Sequence, residues 1–128
     1  MSRSMVEGFC EFLADEGKDP HRYAKQMFKE GTLPTILDLY KHQRKNAQFG
    51  AGISYVDYMI RTYGIERFKK LWLRFNIEVN LKKYKIGKYK TINFEKAFET
   101  LFPKTLGVSF SEFEQGWRAK VAKEAGGQ

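Results

Sequence analysis

The fold is first indicated by Met5-Val6-Glu7-Gly8-Phe9-Cys10-Glu11-Phe12-Leu13-Ala14, a stretch whose apolar residues recur at helical spacing. Met5, Phe9, Phe12 and Leu13 are the apolar positions of a helix that we predict from about Ser2 to Asp15. Gly17 follows as a residue suited to the left-handed conformation that ends many helices.

The rest of the chain repeats this combination of apolar periodicity, capping residues and helix breakers. The predicted helices begin at Asp19-Pro20 (ending at Gly31), at Thr32-Leu33-Pro34, at about Ala47 (ending at Tyr63), at Ile65 (ending near Phe75), after Asn93, and at the capping box Ser109-Phe110-Ser111-Glu112. Pro103 and Gly107 are expected in the loop before the last helix. We therefore predict an all-α fold, a compact single-domain bundle of about six or seven helices over residues 1–128.

One segment, Ile77 to Ile92, departs from the helical pattern. It contains five lysines and one acidic residue, Glu78, and thus carries +4 of the net charge of +8. Gly87 predicts a turn, so we expect a short hairpin or a loop. The segment is either an ordinary solvated surface or a site that contacts phosphates, with lysines neutralising charge and tyrosines stacking on bases. The candidate binding residues are Lys82, Lys83, Tyr84, Lys85, Lys88, Tyr89 and Lys90.

The composition limits the remaining chemistry. The single cysteine, Cys10, excludes an internal disulfide and is predicted to be a buried, inert thiol. His21 and His42 are expected on helix surfaces, because they lack the spacing that brings two imidazoles to one helical face. Trp72 and Trp117 are expected in the core. No apolar run is long enough to cross a bilayer.

Four stretches taken in order resemble the C-terminal part of gluzincin, or peptidase MA-like, zinc metallopeptidases. They are Val6 to Leu13, Leu33 to Leu39, Tyr55 to Gly64 with Phe68 and Leu71, and Phe94 to Arg118. The resemblance implies an all-helical part that closes the back of a zinc site. It also implies that Glu7, in the Glu7-Gly8 pair, corresponds to the third zinc ligand.

This sequence departs from the family where the catalytic residues are concerned. It contains no H-E-x-x-H, the motif that supplies two zinc-binding histidines and a general base. Phe49 stands where related peptidases often have a tyrosine. Glu7 can therefore be a zinc ligand only if histidines are supplied from upstream sequence or from another chain.

The sequence leaves three interpretations of function. The first is the C-terminal helical portion of a zinc-dependent peptidase, inactive as this isolated chain, whose partner is a missing N-terminal catalytic half. The second is a non-enzymatic basic module that binds nucleic acid or an acidic protein, using the lysine-rich segment with Arg61, Arg67, Lys69 and Lys70. The third is a peptidase scaffold that docks a partner protein.

Overall fold

A computed structural model describes residues 3–14, 17–42, 45–80, 85–86 and 91–126. This part of the chain forms seven helices and one pair of short strands. The predicted all-α bundle of six or seven helices is confirmed. In chain order the elements are α1 (Arg3–Ala14), α2 (Arg22–Glu30), α3 (Ile36–His42), α4 (Lys45–Tyr63), α5 (Ile65–Asn80), β1 (Lys85–Ile86), β2 (Thr91–Ile92), α6 (Phe94–Leu106) and α7 (Phe110–Ala125).

Helix α4 lies at the centre of the bundle, and every residue from Gly50 to Asp57 is buried. Helix α1 packs along it, and α2, α5 and α7 contact its other sides. Small residues on α4 permit these close approaches. A Cβ atom added to Gly50 would lie 2.6 Å from the Cβ of Tyr23 on α2. Gly50 therefore permits the close approach of α2 to α4.

Aromatic side chains fill the space between α5, α6 and the start of α7. Phe98 packs with its ring centroid 5.7 Å from Phe75, 5.6 Å from Phe102 and 5.0 Å from Phe110. Offset and edge-on pairs of this kind stabilise a core beyond the area they bury. The described helices include none with the length and apolarity needed to cross a bilayer.

The start of α2 differs from the prediction. Asp19 was expected to cap the helix with Pro20 in its first position, but His21 is the capping residue and Arg22 begins the helix. The reason is local: the Asp19 side chain accepts a hydrogen bond from the backbone N–H of His21 at 2.9 Å, which forms a turn ahead of the helix. The predicted end is confirmed, because Gly31 is left-handed with φ 73°.

The start of α3 is also later than predicted. Leu33 and Pro34 lie in the connection before the helix, and their carbonyls accept hydrogen bonds from the Arg118 guanidinium at 3.2 and 3.0 Å. The hydroxyl of Thr35 then accepts from the backbone N–H of Asp38 at 3.1 Å and caps the helix. A cation on α7 therefore fixes the entry to α3, a contact between residues more than 80 positions apart.

Helix α5 is longer than its apolar pattern indicated, since it continues from Phe75 to Asn80. The pattern was obscured because Glu78 occupies the buried face while Ile77 is exposed. The hairpin expected near 77–92 is confirmed at its strands, where Lys85 pairs with Ile92 and Ile86 with Thr91 in antiparallel register. The predicted turn at Gly87 lies outside the described residues.

Pro103 lies inside α6, and the prediction that it belongs to the following loop is wrong. Pro103 and Glu99 are both exposed, so the Glu99 carbonyl, which the proline leaves without a helical donor, lies on a side open to water. Gly107 ends the helix with φ 79°. The predicted caps are confirmed: Asn93 accepts from the Lys96 N–H at 3.1 Å, and Ser109 from the Glu112 N–H at 3.0 Å.

Candidate functional site

The Glu7-Gly8 pair lies where α1 crosses the central helix. A Cβ atom on Gly8 would lie 2.8 Å from both the Gly52 carbonyl carbon and the Val56 Cγ2 atom of α4. No real Cβ contact is that short against backbone, so the crossing requires glycine at this position. Gly8 therefore has a packing role that is independent of any metal.

Helix α1 is covered on its inner side only. Met5 and Gly8 are buried against α4, and Phe9 packs edge-on against Trp72 of α5 with centroids 5.1 Å apart. Further around the helix lie the half-buried Val6 and the exposed Cys10, Leu13 and Ala14, and we call these four residues the outward stripe. Leu13 exposes 61% of its surface, and the Cys10 thiol is also exposed.

The exposure of Cys10 corrects the prediction of a buried thiol. That prediction followed from the apolar residues around Cys10, which continue around the helix instead of giving way to polar ones. The sequence pattern is that of a helix covered on two sides. In this chain one of those sides faces solvent.

The predicted zinc ligand, Glu7, belongs to α1, and its side chain lies outside the described residues. Across the described side chains, no three His, Cys, Asp or Glu residues come together in a way that could hold a metal. The histidine of known environment, His21, uses its Nδ1 atom in a bond to a serine. Zinc therefore does not fit the donor groups that these residues provide.

His21 is buried, and the prediction that it lies on a helix surface is wrong. Its Nδ1 atom lies 2.6 Å from the Oγ of Ser54 on α4. The same Oγ accepts a hydrogen bond from Nε1 of Trp117 on α7 at 2.8 Å. These three side chains, with Asp57, form a buried polar cluster that joins α4, α7 and the start of α2. Trp117 is fully buried, as predicted for a core residue.

The hydrogen bonds of the cluster centre on the Ser54 hydroxyl. Its oxygen accepts from Trp117, and in the tautomer of His21 that carries its proton on Nε2 the hydroxyl donates to Nδ1. Nε2 faces the Asp57 carboxylate, with 4.0 Å between it and Oδ1. The two carboxylate oxygens of Asp57 in turn accept hydrogen bonds from Nε of Arg61, at 2.9 and 3.0 Å.

A cleft of about 310 Å³ opens beside His21 and Asp57. Its other lining groups include Asp19, Lys120 and Glu124. Lys120 and Glu124 form an ion pair at 3.4 Å one helical turn apart on α7. The second carboxylate oxygen of Glu124 is buried and has no hydrogen-bond partner. Charges of both signs therefore surround the imidazole.

The combination of serine, histidine and aspartate does not have the geometry of a nucleophilic triad. Ser54 is fully buried, so a substrate carbonyl cannot reach its Oγ atom. The distance of 4.0 Å between His21 and Asp57 is beyond a hydrogen bond, and Ser54 also holds Trp117. The cluster is therefore a structural connection between elements.

Burial lowers the pKa of His21 below its ordinary value of 6.5, against the raising effects of Glu124, Asp57 and Asp19 and with a small lowering effect of Lys120. Between the folded and unfolded pKa values the unfolded chain binds more protons. We therefore expect the free energy of unfolding to fall as the pH falls through 6.5 toward the folded pKa.

Chemical denaturation at about pH 7.5 and about pH 5.5 measures this loss. The His21→Asn variant should show a smaller pH dependence, and the His42→Asn variant should keep that of the wild type. If His21→Asn does not fold, the imidazole NMR titration of the wild type still decides the point. A His21 midpoint at or above 6.5 would contradict the expectation.

The predicted basic site is only partly within the described residues. Lys82, Lys83, Tyr84, Lys88, Tyr89 and Lys90 lie outside them, and Lys85 is in β1 with its side chain outside. Two of the cations expected to assist this segment are already bound to other groups of the chain. Arg61 binds Asp57, and the Arg67 guanidinium donates to the Leu106 carbonyl at 3.0 Å. Lys69 and Lys70 are exposed on α5.

Comparison of the chain with known protein families, with curated proteins and with solved structures finds no match.

Proposed function

We propose that this chain is the C-terminal helical portion of a zinc-dependent peptidase and that it is inactive as an isolated chain. The observation that carries the proposal is the outward stripe of α1. A helix whose apolar residues extend over most of its circumference is normally covered over that whole width. Here Met5 and Gly8 are covered by α4, while Cys10 and Leu13 are exposed.

The covering element has a defined chemistry under this proposal. Glu7 precedes Cys10 by three residues, a spacing that places two residues on one helical face. A helix that packs on the outward stripe would therefore run beside Glu7. If that helix carries H-E-x-x-H, it supplies the two zinc-binding histidines that the resemblance requires. The resemblance of four ordered stretches to gluzincins gives this helix as the expected partner.

The first test uses Cys10, which is the only cysteine of the chain and belongs to the stripe. We expect its thiol to react with an aromatic disulfide reagent in the native chain about as fast as an exposed reference thiol. The reference is the variant Cys10→Ser with Ala119→Cys, because Ala119 is exposed on α7. A histidine-bearing segment added or fused to the chain should protect Cys10 and leave the reference thiol reactive.

The second test measures bound zinc and peptide hydrolysis with the purified chain. We expect neither stoichiometric zinc nor metal-dependent activity, because one carboxylate is too few ligands for a catalytic zinc. Zinc at one equivalent with activity that a chelator removes would overturn the proposal of an inactive portion. A Cys10 thiol that reacts only after unfolding would remove the observation on which the proposal rests.

A further inference from the structure

The outer side of α5 carries a second unusual surface, separate from the outward stripe. Lys69, Lys70, Leu73, Arg74 and Ile77 recur at helical spacing, and we call this set the basic ridge. Leu73 exposes 61% and Ile77 39% of its surface, although both are large aliphatic residues. Cations therefore flank two exposed aliphatic side chains one helical turn apart.

The ridge is fixed in place by the opposite side of the same helix. Phe68, Leu71 and Phe75 of α5 are buried in the core, so the ridge cannot turn inward. The cations of the basic ridge are also available to bind an external partner. Lys69 lies 3.8 Å from Glu66 in an exposed pair, which contributes little. Within the described part of the chain, neither Lys70 nor Arg74 forms an ion pair.

We propose that the basic ridge binds the surface of an anionic lipid bilayer. Leu73 and Ile77 enter the boundary between headgroups and acyl chains, while Lys69, Lys70 and Arg74 extend their charged ends to lipid phosphates and carboxylates. Basic residues near an anionic membrane each add to binding. The net charge of +8 attracts the whole chain to the same surface.

The aliphatic residues favour lipid over nucleic acid as the partner. Phosphate contacts require cations and base stacking requires aromatic rings, and Leu73 and Ile77 supply neither, whereas a lipid interface takes up exposed aliphatic side chains.

Vesicle co-sedimentation with the full chain tests the proposal. We expect binding to vesicles of phosphatidylcholine mixed with phosphatidylserine, and none to pure phosphatidylcholine. Leu73→Ser with Ile77→Ser, and separately Lys70→Glu with Arg74→Glu, should each weaken binding by about tenfold or more. All four positions are exposed, so these variants are expected to fold. A circular dichroism spectrum equal to that of the wild type verifies this.

The matched control reverses the charge of two lysines outside the ridge, Lys104→Glu with Lys123→Glu. Both lysines are exposed, on α6 and α7. This variant has the same net charge as the Lys70 and Arg74 variant and should keep most of the binding. An equal loss of vesicle binding in the control variant would mean that binding depends on net charge alone, and it would overturn the proposal that the basic ridge is the binding site. Loss of binding only with charge reversal, or binding to single-stranded DNA but not to vesicles, would also overturn it.

Discussion

Ser54→Ala is expected to lower the free energy of unfolding by about 2–6 kcal/mol, although it removes a single oxygen atom. That oxygen is hydrogen-bonded to Nδ1 of His21 at 2.6 Å and to Nε1 of Trp117 at 2.8 Å. Without it, two buried polar groups lose their partner at once, and each unsatisfied group costs about 1–3 kcal/mol. Urea denaturation of the wild type and the variant measures the loss.

The exposed serine on α7, Ser111, provides the control for this result. Ser111→Ala should change stability by less than about 0.5 kcal/mol, because its hydroxyl makes only a long, exposed contact with Gln115. A double-mutant cycle adds a sharper test. Trp117→Phe should cost less in the Ser54→Ala background than in the wild type, since the indole donor has already lost its acceptor. Strictly additive losses would contradict the cluster.

Gly8→Ala is the substitution for which we expect the second large effect, a loss of about 2 kcal/mol in the free energy of unfolding. The added methyl group would lie 2.8 Å from the Gly52 carbonyl carbon and from Val56. Backbone cannot yield as a side chain does, so α1 must move away from α4. The greater helix propensity of alanine returns only about 1 kcal/mol.

A second helical glycine, Gly116 on α7, gives a matched comparison. A methyl group there would meet chiefly the hydroxyl end of Tyr58, a half-buried side chain that can shift. We therefore expect Gly116→Ala to cost at least about 1 kcal/mol less than Gly8→Ala in thermal or urea unfolding. Equal losses, or a stabilising Gly8→Ala, would show that α1 does not cross α4 as closely as described.

The sequence is informative where structure depends on neighbouring residues. Ser109 and Asn93 cap their helices as predicted because a cap bonds only to residues two or three positions away. Gly31 and Gly107 end helices for the same local reason. Asp19 shows the limit even at this range. Its side chain accepts a hydrogen bond from the backbone N–H of His21, ahead of the helix, and does not cap the helix itself. An aspartate at this place in the sequence is compatible with either bond.

The buried polar cluster could not be predicted from the sequence. His21 and Ser54 are 33 residues apart, and Ser54 and Trp117 are 63 apart. Only the packing of α2 and α7 on α4 brings them together. A partial signal existed in Ser54 and Asp57, two polar residues in the mainly apolar middle of α4. Where such residues are buried they have hydrogen-bond partners, but their spacing does not identify the partner.

The case of Cys10 differs, because the sequence pattern and the structure disagree about the same residue. The pattern around Cys10 and Leu13 is that of a covered helix face, and in this chain the face is exposed. A histidine-bearing helix on the outward stripe would reconcile the two. The same helix would bring to Glu7 the ligands that zinc requires.

The measurement that tests this account most directly is to sequence the genomic DNA on the 5′ side of the Met1 codon. We predict an open reading frame that continues in frame with Met1 and encodes H-E-x-x-H a short distance before Glu7. That result would give the outward stripe its partner and Glu7 its role as the third zinc ligand. A stop codon or an unrelated sequence in that frame would contradict the account.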